Sequence, residues 1–183
     1  APKGMVGRPV METPAGHEPE WVVAANTDAE KKNAEAATAF IAAWEKKDGK
    51  AFLDTLTDDA QHVDFARPAD GKKGKAAAKK DFDAFIKAFP DMKMAAKNMW
   101  AAGNYVVVEA ETTGTFTGAL GPLKPTKKTG TLHGVDVMRL ADGKLAVGHS
   151  YGSGAEFAGA FGLMPKAAAK PPVKPPAFAP AKP

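Results

Sequence analysis

The sequence predicts an α+β domain in which helices cover one face of an antiparallel sheet. Three observations predict it. Apolar residues recur at helical spacing in the first half, as Ala37, Phe40, Ile41 and Trp44 and again as Phe82, Phe85, Ile86 and Phe89. From Met92 onward the period falls to two. Gly-containing turns then join the later segments as hairpins, so runs of strands follow runs of helices.

Thr27-Asp28-Ala29-Glu30 reads as a capping box that opens the first helix, which Gly49 ends after Asp48. A shorter helix from Lys50 carries Phe52, Leu53 and Leu56, and Asp58-Asp59 marks a turn into a strand from Gln61 to Phe65. Gly71 to Gly74 reads as a lysine-bearing loop. Ala76 to Phe89 reads as a helix that Pro90 stops. Strands are expected at Met92 to Ala101, Tyr105 to Phe116, Thr129 to Leu140 and Lys144 to Tyr151. Ala102-Gly103-Asn104 and Ala141-Asp142-Gly143 supply hairpin turns, because Gly, Asn and Asp tolerate the positive φ such turns need. Thr117 to Lys128 is a wider loop.

Of the 183 residues, 37 are alanine, so the 44% hydrophobic content overstates the deep core available. The net charge of +4 is carried by the end of the chain. Residues 165 to 183 hold Lys166, Lys170, Lys174 and Lys182 with no acid, which leaves 21 basic and 21 acidic side chains before them. That Lys/Pro/Ala-rich tail favours polyproline II, with no arginine and Phe178 as its single aromatic, so specific nucleic-acid binding is not expected. Residues 1 to 26 are interrupted by Pro2, Pro9, Pro14 and Pro19 and read as an extended arm, leaving 27 to 164 as the folded domain. Zero cysteines exclude disulfides, thiolate metal sites and a cysteine nucleophile. No apolar run is long enough for a transmembrane helix, and the start at Ala1 fits either removal of an initiator Met or cleavage of a secretory signal, which leaves the compartment open with the periplasm or medium favoured over the cytoplasm. The Gly-rich turns have no phosphate-loop order, so no cofactor is expected.

Several local matches carry a family resemblance. They are Phe40-Ile41-Ala42-Ala43-Trp44 with Asp48-Gly49 and Phe52-Leu53, Phe89-Pro90-Asp91, Gly114-Thr115-Phe116-Thr117-Gly118, Pro125-Thr126, Gly134-Val135-Asp136-Val137 with Arg139, Asp142-Gly143-Lys144-Leu145, and Gly162-Leu163. Through these, Ala39 to Pro165 resembles the SnoaL-like (polyketide-cyclase-like) branch of the nuclear transport factor 2-like superfamily. The resemblance implies a cone-shaped fold, a curved sheet around a helix with a pocket at the open end. It also implies an acid on the strand after the Asp-Gly turn. There the chain reads Leu145, Val147, His149, which share a face at period two, so Val147 stands where the resemblance puts the acid. Gly152-Ser153 and Ala160-Phe161-Gly162 likewise depart from the family's Asp and Gln-Leu-Gly.

His133 is a candidate proton carrier near neutral pH, with Val135 and Val137 on its face. Asp136, of opposite parity beside Leu132, Met138 and Leu140, is a candidate buried carboxylate that needs a partner or a raised pKa. For acid/base chemistry His133 is the candidate proton acceptor, with Asp136 or Asp64 in support. His62 shares a face with Asp64, but two ligands at i, i+2 do not make a metal site, and no metal is expected. Trp44, His62, Trp100, Val147, His149 and Tyr151 are the candidate lining of a ligand pocket.

Two functions follow from these residues. The leading one is a non-catalytic or weakly catalytic domain with an apolar pocket able to hold a small hydrophobic ligand. Its two arms would then mediate self-association, as a homo-oligomer, or docking in a larger assembly. The alternative is a cyclase, isomerase or hydratase doing acid/base chemistry on a small carbonyl compound.

Overall fold

The computed structural model describes residues 22–65 and 72–164. The tail, and the proline-interrupted arm up to residue 21, lie outside the described residues. In chain order the elements are β1 (Val22–Ala24), α1 (Asp28–Glu45), α2 (Gly49–Asp54), β2 (Leu56–Asp64), β3 (Lys72–Lys73) and α3 (Lys75–Ala88). Then follow β4 (Lys93–Ala102), β5 (Tyr105–Thr115), β6 (Thr129–Ala141), β7 (Lys144–Gly152) and α4 (Gly154–Ala160).

The capping box at the start of α1 forms as its sequence dictates. Thr27 Oγ1 accepts from Glu30 N at 3.2 Å, and Glu30 Oε2 accepts from Thr27 N at 2.9 Å. Glu30 does more than cap. Its Oε1 accepts from Gly103 N at 2.9 Å, tying the head of α1 to the β4–β5 turn and holding its pKa below the usual carboxylate range. Asp48 caps α2 by accepting from Lys50 N and Ala51 N, both at 3.0 Å.

The seven strands of the described residues join one sheet in the order β1-β4-β5-β6-β7-β2-β3. The long hairpins β4–β5, β5–β6 and β6–β7 are antiparallel, as the period-two pattern and turn residues require. The sheet is nonetheless mixed. β1 pairs parallel with β4, and β2 pairs parallel with β7. These partners are separated in sequence by helices, so no hairpin turn announces them. Leu56, expected in the second helix, instead opens β2 and is 2% exposed.

One face of the sheet carries the core: Met99 and Ala101 on β4, Val106, Val108 and Ala110 on β5, Met138 and Leu140 on β6. α1 to α3 cover it. Phe82 stacks on Phe52 with ring centroids 4.6 Å apart, and Trp44 lies 4.6 Å from Phe82 and 5.4 Å from Phe52. A second cluster closes one end, where Phe89, Phe116 and Phe161 pack together with α4 contributing Phe157. This is the cone that the resemblance implied: a curved α+β sheet with helices on its inner face. Gly118 lets the β5–β6 loop rest on α3. A Cβ there would stand 2.2 Å from the Lys87 carbonyl oxygen.

Candidate functional site

β-Bulges decide which side chains share a face. β6 and β7 stay in register from Gly134↔Gly152 to Arg139↔Val147, then shift to Leu140↔Leu145, so Ala146 is an extra residue on β7. Leu145 therefore points to the core beside Leu140, whereas Val147 stands beside exposed Arg139 on the outer face. The period-two expectation that Leu145, Val147 and His149 share one face fails at this bulge. A valine at 147 removes no acid from the inner face.

The inner face gets its acid from β6. Asp136 pairs with Val108 on one side and Ser150 on the other, on the face of buried Met138. Ser150 Oγ donates a short hydrogen bond to Asp136 Oδ1, and His62 Nε2 lies 2.8 Å from the same Ser150 Oγ. The parallel register of β2 on β7 makes this possible, setting His62 beside Gly148 and Asp64 beside Ser150. Burial pushes the Asp136 carboxyl above its usual pKa, and the charge of Asp64 adds to that push. The Ser150 hydrogen bond and the His62 charge oppose it. The exposed His62 imidazole is thus joined through a hydroxyl to a half-buried carboxyl of raised pKa.

Three of the residues picked from the sequence, Asp136, Asp64 and His62, come together here. Trp44 is on the same side of the sheet but deeper, within the aromatic core. The others face away. His133 pairs with Glu111, His149 with Val137, Tyr151 with Val135 and Trp100 with Val107, all on the outer face. His133 Nδ1 lies 2.6 Å from Glu156 Oε1 and its Nε2 3.3 Å from Glu111 Oε1. The hydrogen bond to Glu156 is the main cause that raises the His133 pKa. His133 and Asp136 therefore cannot act on one reacting atom. Sequence reasoning missed Ser150 and Glu156. Ser150 has inner-face parity only once the bulge at Ala146 is counted. Glu156 sits on a seven-residue helix, α4, which the sequence reading left out.

The profile of the SnoaL-like domain family matches residues 37–147, more than half of the chain. The chain belongs to the SnoaL-like family. Among solved structures, this SnoaL-like domain is similar to a protein from Jannaschia sp. CCS1 named as a SnoaL-like polyketide cyclase. The two are 19% identical with a TM-score of 0.69, over 77% of this chain and 99% of that one. A protein with a ketosteroid isomerase-like fold from Catenulispora acidiphila DSM 44928, solved in complex with trimethylamine, is 20% identical. Its TM-score is 0.61, over 71% of this chain and 94% of that one. A third, an NTF2-like protein from Burkholderia xenovorans LB400, is 19% identical with a TM-score of 0.59, covering 74% of this chain and 99% of that one. At these identities the likeness carries the fold. No curated protein matches the sequence.

Proposed function

We propose that this SnoaL-like domain performs acid/base chemistry on a small carbonyl compound, with Asp136 as the group that takes and returns the proton. One observation carries the reading: a half-buried carboxyl of raised pKa linked through Ser150 to the exposed imidazole of His62. A carboxylate in such a place is a stronger base than one in water, and its acid form persists closer to neutral pH. As a base, Asp136 would take the proton from a carbon next to the carbonyl and leave an enolate. The acid form would return it to another carbon, giving isomerisation, or the enolate would attack a second carbonyl, giving aldol cyclisation. Ser150 and His62 offer a route for excess protons to solvent, since the hydroxyl can donate to Asp136 while accepting from His62 Nε2.

This favours an enzymatic function over a non-catalytic one, with Asp136 as the base in place of His133, which lies on the outer face. Val147, which stands where the resemblance puts the family's acid, is not on the inner face, so its lack of a carboxylate does not weigh against catalysis there. Proton NMR of ethyl acetoacetate and of a bicyclic β-keto ester in D2O tests the reading by following exchange of the acidic C–H. Wild type should exchange the probe faster than buffer, and Asp136→Asn should lose about a hundredfold or more of that acceleration. Equal rates for wild type and Asp136→Asn would overturn it.

A further inference from the structure

Helices α1 to α3 cover the inner face of the sheet, and the outer face carries a groove of ≈ 490 Å³ with an aromatic rim. The registers set its floor. Asn98, Glu109, Val135 and Tyr151 lie side by side across β4 to β7, with Glu111 and His133 in the next row. Phe65 extends the rim from the end of β2, stacked on Tyr151 with centroids 4.8 Å apart. Phe65 and Tyr151 are 55% and 46% exposed. Stacked rings left in water beside a groove mark an interaction surface.

The charge of the groove narrows what it can hold. Lys97 lies 2.8 Å from Glu111, and His133 lies between Glu111 and Glu156 of α4. Glu109 is exposed and accepts from Asn98 Nδ2 at 2.7 Å, with no cation paired to it among the described residues. Carboxylates therefore outnumber cations here, and Glu109 is the one left to meet a positive group. Such a groove selects a cationic occupant, and its aromatic rim selects one that offers proline rings.

The chain itself carries a segment of this chemistry. Residues 165–183 hold Lys166, Lys170, Lys174 and Lys182 with no acid, and include Lys170-Pro171-Pro172 and Lys174-Pro175-Pro176. The other proline-bearing segment fits less well, since residues 1–21 set Lys3 and Arg8 against Glu12, Glu18 and Glu20. We propose that the C-terminal tail docks in the groove of its own chain, with prolines against Phe65 and Tyr151 and a lysine beside Glu109. The tail starts close by. Met164 N donates to Ala158 O at 3.2 Å, folding the chain back along α4, and the N-cap of α4, Ser153, lines the groove. In polyproline II the tail would reach about 60 Å, several times the roughly 10 Å length of α4. So short a tether gives an effective concentration on the order of millimolar, at which weak surface ion pairs and ring contacts suffice. The groove and Asp136 are on opposite faces, so the docking does not depend on the proposed chemistry.

Paramagnetic relaxation in the full chain tests this. The chain has no cysteine, so Ala177→Cys supplies a single nitroxide site on the tail. The amide signals of Val135, Tyr151 and Ser153 should broaden, and those of α1 on the inner face should not. Glu109→Lys and Tyr151→Ala, each made in the nitroxide-bearing chain and checked for unchanged amide shifts away from the groove, should each cut the enhancement at Val135 by about threefold or more. No broadening in the groove, or broadening that neither substitution reduces, would overturn the proposal. So would broadening that a nitroxide-bearing copy imposes on an isotope-enriched copy without nitroxide, because the tail would then dock on a second chain.

Discussion

Gly148 lies beside His62 across the parallel β2–β7 pair, and a methyl group at position 148 would stand 3.1 Å from His62 Cδ2. The missing side chain is what lets the imidazole lie over β7 and reach Ser150. Because His62 is exposed, it can swing away from an alanine, so Gly148→Ala should change stability by only about 1 kcal/mol or less. It should nevertheless weaken the His62–Ser150 contact. Since the His62 charge lowers the Asp136 pKa, Gly148→Ala is expected to raise it further, and His62→Ala to raise it more. Carboxyl-carbon NMR titration of the three proteins checks this; an unchanged Asp136 titration in both variants would remove His62 from the relay.

Asp136 itself carries a cost in stability. Its pKa is higher in the folded than in the unfolded chain, so the native state holds the proton more tightly and loses that advantage as pH rises through the folded value. Asn keeps an acceptor for Ser150 without the charge. Asp136→Asn is therefore expected to stabilise the protein at pH 8, and to change nothing below the unfolded pKa of about 4. Thermal melts of both proteins at pH 4 and pH 8 measure the difference.

The outer-face histidine has the opposite partners and a different window. Its pKa is raised, first by the hydrogen bond to Glu156 and then by the charges of Glu156 and Glu111. The stabilisation is complete below the unfolded pKa of about 6.5 and disappears as pH rises through the higher folded value. Protection of the α4 amides against hydrogen exchange should fall across that interval. In His133→Gln the fall should be absent, because glutamine can bond Glu156 but does not titrate.

Phe82 is 2% exposed and touches both Phe52 and Trp44. Phe82→Ala should cost about 3–5 kcal/mol, since the rings around it are held by α1 and α2 and cannot close the void. Urea unfolding followed by Trp fluorescence measures it, with the probe Trp44 4.6 Å from the altered ring.

Local rules sufficed wherever one segment decides its own shape. The capping box at Thr27 and Glu30, the helical stripe through Phe40 and Trp44, and the β4–β5 and β6–β7 hairpin turns depend on residues a few positions apart, and the structure has them as expected. The opposite parity of His133 and Asp136 was legible for the same reason. The parallel pairs β1–β4 and β2–β7 were not, because their strands are brought together by packing over long sequence separations.

By itself the sequence determined an α+β domain with helices on one face, a neutral body with a basic tail, and a carboxylate at 136 set among core residues. Only the tertiary structure decided what that carboxylate meets. A single extra residue at Ala146 turns Val147 outward and Ser150 inward, and the parallel docking of β2 then carries His62 to it. The physical reason is that strand parity is a local property only until a bulge interrupts it. Partners across a sheet are fixed by register, which belongs to two strands at once.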